Sequence, residues 1–175
     1  IDILVGGQGS DTLISDGGQD VLYGGEGADT LAIVSTAFQR VAGGNGTDTL
    51  RLDGSGLTLD LTTLADNTLT DIEVIDITGS GANTLTLDFQ EVVNLSSTSN
   101  TLIVWTNGDD TVNIGSGWTQ RSGQSVNGVL YNKFTQGAAT LLVKGVVNAT
   151  STLNALSKVT IDEDAAEQTV NLAGI

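Results

Sequence analysis

Five aspartates stand at positions 2, 11, 20, 29 and 48, the first four of them nine residues apart. Three close the same kind of segment: Gly6-Gly7-Gln8-Gly9-Ser10-Asp11, Gly24-Gly25-Glu26-Gly27-Ala28-Asp29 and Gly43-Gly44-Asn45-Gly46-Thr47-Asp48. Glycine reaches the positive φ values that turn backbone carbonyls inward. Carbonyls joined by carboxylates from two neighbouring segments make a cage of oxygen atoms alone. Ca2+ takes about six to eight oxygens in flexible geometry, whereas Mg2+ demands a tight octahedron and keeps its waters. Zinc prefers nitrogen and sulfur, and the chain has no His and no Cys. The pattern points to calcium, in about three sites: between Asp2 and Asp20, Asp11 and Asp29, and Asp29 and Asp48. The segment before Asp20, Ser15-Asp16-Gly17-Gly18-Gln19, lacks the first two glycines, and Asp16 stands there as a substitute ligand.

Without His or Cys, no Ser-His or Cys-His pair can form. The carboxylates already have a role in the repeat, so nothing is singled out for catalysis, and no enzyme is expected. The formal charge of -15, from 21 acidic and 6 basic side chains, repels nucleic acid and anionic lipid and favours cations. Apolar runs such as Leu31-Ala32-Ile33-Val34 fall far short of the roughly 18 residues that cross a bilayer, so membrane insertion is not expected. The chain has no Met at position 1 and reads as an excerpt of a longer protein.

The carboxylates need a scaffold that returns at their own period. Asp/Asn-Thr-Leu recurs with its leucine at 13, 31, 50, 69, 85 and 102, in steps of 18, 19, 19, 16 and 17. A step near 18 is two nonapeptides, which suits a coil with two short strands and two loops per turn, stacked about 4.8 Å apart. Alternating runs such as Leu57-Thr58-Leu59-Asp60-Leu61 and Leu85-Thr86-Leu87-Asp88-Phe89 put one face inward, and no helical period competes. The expected fold is all-β: a right-handed parallel β-roll or β-solenoid with turns of about 18 residues, capped by a short β region. Residues 1–53 carry the calcium motif and 54–116 continue the solenoid without it. Residues 117–148 form the cap, with Trp118, Tyr131 and Phe134 filling it, and 149–175 are a linker and the first strand of a following module.

Along the Thr-Leu series the preceding residue changes from Asp at 11, 29 and 48 to Asn at 67, 83 and 100. Stacked asparagines can hydrogen-bond along a column without charge repulsion. The expectation is a calcium-dependent beginning continuous with a calcium-independent end. Asp71-Ile72-Glu73-Val74-Ile75-Asp76 reads as a solvated outer face, with binding of another ion as the alternative, and Asn107-Gly108-Asp109-Asp110 as a tight turn rather than a ligand set.

The segment Gly-Gly-x-Gly-x-Asp-x-apolar-x, quoted above at residues 6–14, 24–32 and 43–51, resembles the repeats-in-toxin (RTX) nonapeptide. That resemblance implies export by type I secretion, unfolded where calcium is scarce and folding outside the cell. The reading is a calcium-dependent structural segment of a large secreted surface protein: an RTX adhesin, a fibre or a surface-layer component. The alternative is a non-catalytic calcium module of a secreted hydrolase or polysaccharide-active enzyme. Self-association through open strand edges and contacts with neighbouring modules of the same chain are the partner contacts to expect beside calcium.

Overall fold

The computed structural model describes residues 1–96 and 99–147. The linker and following strand expected at 149–175 lie outside them. Six strands open the chain: β1 (Ile3–Gln8), β2 (Thr12–Ser15), β3 (Val21–Glu26), β4 (Thr30–Ile33), β5 (Arg40–Asn45) and β6 (Thr49–Leu52). They alternate between two parallel sheets, odd strands in one and even strands in the other. Alternation of side chains along each strand turns a leucine, or in β5 Val41, inward. Leu4, Leu22 and Val41 pair in one sheet and Leu13, Leu31 and Leu50 in the other. Of these, Leu22, Leu31, Val41 and Leu50 are wholly buried. Each buried leucine is worth about 1.5–3 kcal/mol against exposure, so the apolar columns hold each pass of the chain on the next.

After β6 the passes lengthen. β7 (Thr58–Asp60) opens a third sheet, β8 (Leu69–Thr70) rejoins the first and β9 (Val74–Asp76) the second. The next pass runs through β10 (Thr84–Thr86) in the third sheet, a short helix α1 (Phe89–Leu95) and β11 (Thr101–Trp105) in the second. β12 (Thr111–Asn113) then returns to the third sheet. The hydrogen bonds by which a backbone N–H reaches a carboxylate or amide oxygen of the next pass connect residues 18 or 19 apart from Asp2 to Asp48 and 25 to 27 apart from Asp48 to Asp110.

This corrects the single 18-residue step expected through residue 102. Leu69 pairs with Val41, Leu85 with Leu59 and Val112, and Leu102 with Leu141, in three different sheets. Asn67, Asn83 and Asn100 therefore form no column below Asp11, Asp29 and Asp48. Asn-Thr-Leu marks the start of a strand on any side of the molecule. Two sides of a longer three-sided pass span nearly the same number of residues as one two-sided pass, which is why the steps of 16 and 17 resemble a continuing period.

The inward face expected at 85–89 holds for Leu85 and Leu87, which are buried, but the strand ends at Thr86 and a helix begins at Phe89. Asp88 accepts hydrogen bonds from the Gln90 and Glu91 N–H groups and starts α1, as an aspartate at a helix start does. Val92 and Leu95 face the core from the helix. The 71–76 run is not an outer face throughout: Ile72, Val74 and Ile75 are buried. Residues 107–110 are a turn, with the Asp110 and Asn107 side chains accepting from the Asn107 and Asp109 N–H groups.

The end of the described chain is a hairpin of β13 (Thr119–Val126) and β14 (Val129–Gln136), followed by β15 (Ala139–Lys144). β14 pairs antiparallel with both neighbours, and β15 pairs parallel with β11. Tyr131 and Phe134 are buried there, and the Trp105 indole donates to the Tyr131 hydroxyl. β13 is the sheet edge, with a register break between Arg121 and Gln124. A bulge and a charge are features that blunt an edge against further pairing.

Candidate metal centre

Residues 6–11, 24–29 and 43–48 each carry the chain from the first sheet to the second along one side of the molecule, while residues 15–20 return it along the other. Asp11, Asp29 and Asp48 thus stand in one column, each just before a strand of the second sheet. Asp2 and Asp20 stand at the opposite side, before β1 and β3.

The glycines let these segments stack. Gly7, Gly25 and Gly44 are in register, with φ of 109°, 116° and 104°. A Cβ on Gly25 would strike the Gly7 carbonyl and one on Gly44 the Gly25 carbonyl. Gly9, Gly27 and Gly46 repeat the arrangement one loop position later. At Gly25, Gly27, Gly44 and Gly46 both the conformation and the spacing exclude a side chain, and at Gly7 and Gly9 the conformation alone favours glycine.

The aspartate column is held by a recurrent clamp. The Asp11 N–H donates to Asp29 Oδ1 at 2.8 Å and the Asp29 N–H to Asp48 Oδ1 at 2.8 Å. The other oxygen of each carboxylate, Oδ2 of Asp11, Asp29 and Asp48, is buried and has no hydrogen-bond partner among the described residues. Each of these oxygens lies against the first glycine of its own segment. The place of a Cβ on Gly6 is 2.8 Å from Asp11 Oδ2 and 2.6 Å from the Gly24 carbonyl oxygen. At Gly24 the neighbours are Asp29 Oδ2, at 2.5 Å, and the Gly43 carbonyl; at Gly43 they are Asp48 Oδ2, at 2.7 Å, and the Asp71 carbonyl. Carboxylate and carbonyl oxygens thus converge three times, in register, on a space that only glycine leaves open.

A buried carboxylate oxygen without a donor carries a desolvation cost that a cation removes. That cost is visible at Asp48. Burial first, then the charges of Asp29, Glu73 and Asp71, push its carboxyl up to about 6, against the opposing pull of its bond with the Asp29 N–H. The donors are all oxygen, and hard oxygen donors in irregular array suit Ca2+. The residues present fit calcium.

The other side differs. Asp2, Asp16 and Asp20 bring carboxylate oxygens within 4.8 Å of one another, so Asp16 does join the pair. Both Asp20 oxygens already accept hydrogen bonds, Oδ1 from the Asp2 N–H at 2.8 Å and Oδ2 from the Ser15 hydroxyl at 2.6 Å. The Ser15 hydroxyl first, and the Asp2 N–H second, hold the Asp20 carboxyl below its ordinary value. Ser15 thus does for Asp20 what none of the described residues does for Asp29.

Two residues at the end of the column carry no motif. The Asp48 N–H donates to Glu73 Oε2 at 2.9 Å, the same clamp made by a glutamate. Asp71, at φ 56°, places its carbonyl where the next segment's first glycine would put one. The available signal was a carboxylate directly before a strand, Glu73-Val74-Ile75 beside Asp48-Thr49-Leu50.

Residues 1–31 match the family of the RTX calcium-binding nonapeptide repeat, four copies. No curated protein and no solved structure matches the chain. The repeat is a structural calcium-binding module and not a catalytic one, and no helix among the described residues is long and apolar enough to cross a membrane. Residues 1–31 of this chain accordingly carry an RTX hemolysin-type repeat.

Proposed function

We propose that the chain is a calcium-gated structural segment of a secreted surface protein, of the adhesin, fibre or surface-layer kind, exported through type I secretion. Its first strands wind as a right-handed β-roll that closes when Ca2+ enters between passes. Asp11, Asp29 and Asp48 are the carboxylate ligands of that column, with carbonyls of the segments that hold Gly6, Gly24 and Gly43. Asp2, Asp16 and Asp20 form a weaker site on the opposite side. Residues 117–147 end the roll as a cap.

One observation supports this reading above the others: the buried, partnerless Oδ2 atoms of Asp11, Asp29 and Asp48, repeated in register against the carbonyls of the following pass. A plain turn would satisfy or expose those oxygens. Without a cation three carboxylates, each with a buried oxygen, repel one another, and with one they bind the passes together, so metal binding and folding become one event.

Calorimetric titration with Ca2+ and with Mg2+, followed by circular dichroism, tests it on the chain and on a variant with Asp11, Asp29 and Asp48 all changed to Ala. Gain of β structure with Ca2+ but not with Mg2+, and loss of that response in the variant, is expected. A chain that shows full β structure in chelator and takes up no Ca2+ ends the proposal.

A further inference from the structure

We propose that a further Ca2+ site closes the column, between residues 43–48 and residues 71–73, with the Asp48 and Glu73 carboxylates and the Asp71 main-chain carbonyl among its ligands. The inference rests on the calcium reading above and extends it beyond the last glycine-rich segment.

The register carries it. β5 pairs with β8 through Ala42 and Thr70, and β6 pairs with β9 through Thr49 and Val74. The chain between those strands therefore runs from Gly43 to Asp48 in one pass and from Asp71 to Glu73 in the next. Three residues make the crossing that six make elsewhere. The shortcut keeps both groups that matter at its ends. Asp71 offers its carbonyl at the Gly43 cradle, as Gly24 does at Gly6 and Gly43 does at Gly24. Glu73 Oε2 accepts the Asp48 N–H, as Asp29 Oδ1 accepts that of Asp11.

The second, independent observation is Asp48 itself. Its side chain is fully buried, its Oδ2 has no partner, and that atom points at the same cradle as the Asp71 carbonyl. Asp11 Oδ2 and Asp29 Oδ2 hold equivalent places in the two sites that lie between glycine-rich segments, so a cation that fits those fits here.

The shortcut also changes the site. The residues that would have formed the rest of a glycine-rich loop are missing from this pass, and a concavity of about 380 Å³ opens beside Gly44, Gly46, Asp71 and Glu73. Water has access on that side and supplies the ligands that the missing loop does not. Ca2+ keeps such waters in its shell readily. This terminal site is consequently weaker and faster to exchange than the enclosed ones, and it is the first to empty as calcium falls.

Glu73→Gln tests it. The amide oxygen still accepts the Asp48 N–H, and only the charge is lost. Ca2+ bound at saturation, counted by equilibrium dialysis and metal analysis, is expected to fall by one ion, with the tighter sites of the calorimetric isotherm unchanged. An unchanged count with unchanged affinities overturns this site alone. A parent chain that binds no Ca2+ overturns the reading of the whole column instead. If the variant fails to fold, the parent chain crystallised with Tb3+ decides: an anomalous peak between Asp48 and Glu73 is expected, and peaks beside Asp11 and Asp29 without one there refute the site.

Discussion

Asp29 and Asn83 make the same clamp in two regions of the molecule. Asp29 Oδ1 accepts the N–H of Asp11 in the preceding pass at 2.8 Å, and Asn83 Oδ1 accepts that of Leu57 at 2.7 Å. Both side chains are buried. They differ in the second terminal atom. Asp29 Oδ2 has no partner, whereas Asn83 Nδ2 donates to the Ile77 carbonyl at 3.0 Å. The next member of the later column, Asp110, is an aspartate again, yet it is satisfied: Oδ1 takes the Asn83 N–H and Oδ2 the Asn107 N–H. One geometry can thus be completed by neutral hydrogen bonds or left charged and open. The first passes have the open version, so their closure depends on what the surroundings supply.

Removing calcium gives the largest effect. A site held at about 100 times its dissociation constant contributes roughly 2.7 kcal/mol, so two or three such sites outweigh any single side chain in the molecule. Hydrogen exchange in chelator should show amides of residues 3–52 losing protection while those of β10, β11, β12 and β15 keep it. Equal loss in both regions would mean that they fold as one unit, and the contrast between Asp29 and Asn83 would then have no thermodynamic meaning.

Asn83→Leu comes next, acting on the other region. It strips the Leu57 N–H and the Ile77 carbonyl of their partner, and a buried group left unsatisfied costs about 1–3 kcal/mol. Urea unfolding at saturating Ca2+ should show the loss, and the calcium titration should not move. A shift in calcium affinity would show that the later region is coupled to the metal column.

Asp29→Asn tries to convert one version into the other. The new amide keeps an oxygen for the Asp11 N–H and offers a donor toward the Gly43 carbonyl, copying the Asn83 arrangement. A hydrogen bond of this kind is worth roughly 0.5–1.5 kcal/mol net. In chelator the variant should be more stable than the parent by that amount, and with calcium it should bind more weakly. A variant less stable than its parent in both conditions would show that the charge is not what keeps the calcium-free passes open.

The nine-residue aspartate step, the glycine loops and the inward leucines up to residue 52 were legible because there each pass is built from one repeated local unit. A two-sided pass and its motif share a period, so sequence spacing reads directly as spatial register. Beyond residue 52 that link breaks. Leu69, Leu85 and Leu102 keep the local strand chemistry, but which sheet a strand joins is decided by long-range packing once β7 adds a third side. Glu73 was legible only as a member of an acidic run: its position relative to Asp48 is fixed by the pairing of β6 with β9, and nothing in its neighbours spells a loop. Asn83 and Asp110 are visible as turn residues, but their partners in other passes are not.

A pH dependence tests whether the later region is indifferent to calcium although it carries a carboxylate cluster of its own. Burial first, then the charges of Asp88, Asp66 and Asp60, push the Glu91 carboxyl on α1 up to about 7. Its ordinary value is 4.5, so the folded chain holds this proton more tightly than the unfolded chain does. Stability from that preference is complete below about pH 4.5 and is lost as the pH rises through about 7. In chelator, unfolding of the later region should therefore become easier across this window, and Glu91→Gln should flatten the dependence by removing the titrating group. Here the strain is relieved by a proton, where at Asp29 it would be relieved by an ion. If millimolar Ca2+ removes the same pH dependence from the parent chain, the cluster at Glu91 is reading calcium too. The division between a region closed by ions and a region closed by its own hydrogen bonds would then have to be redrawn to include α1.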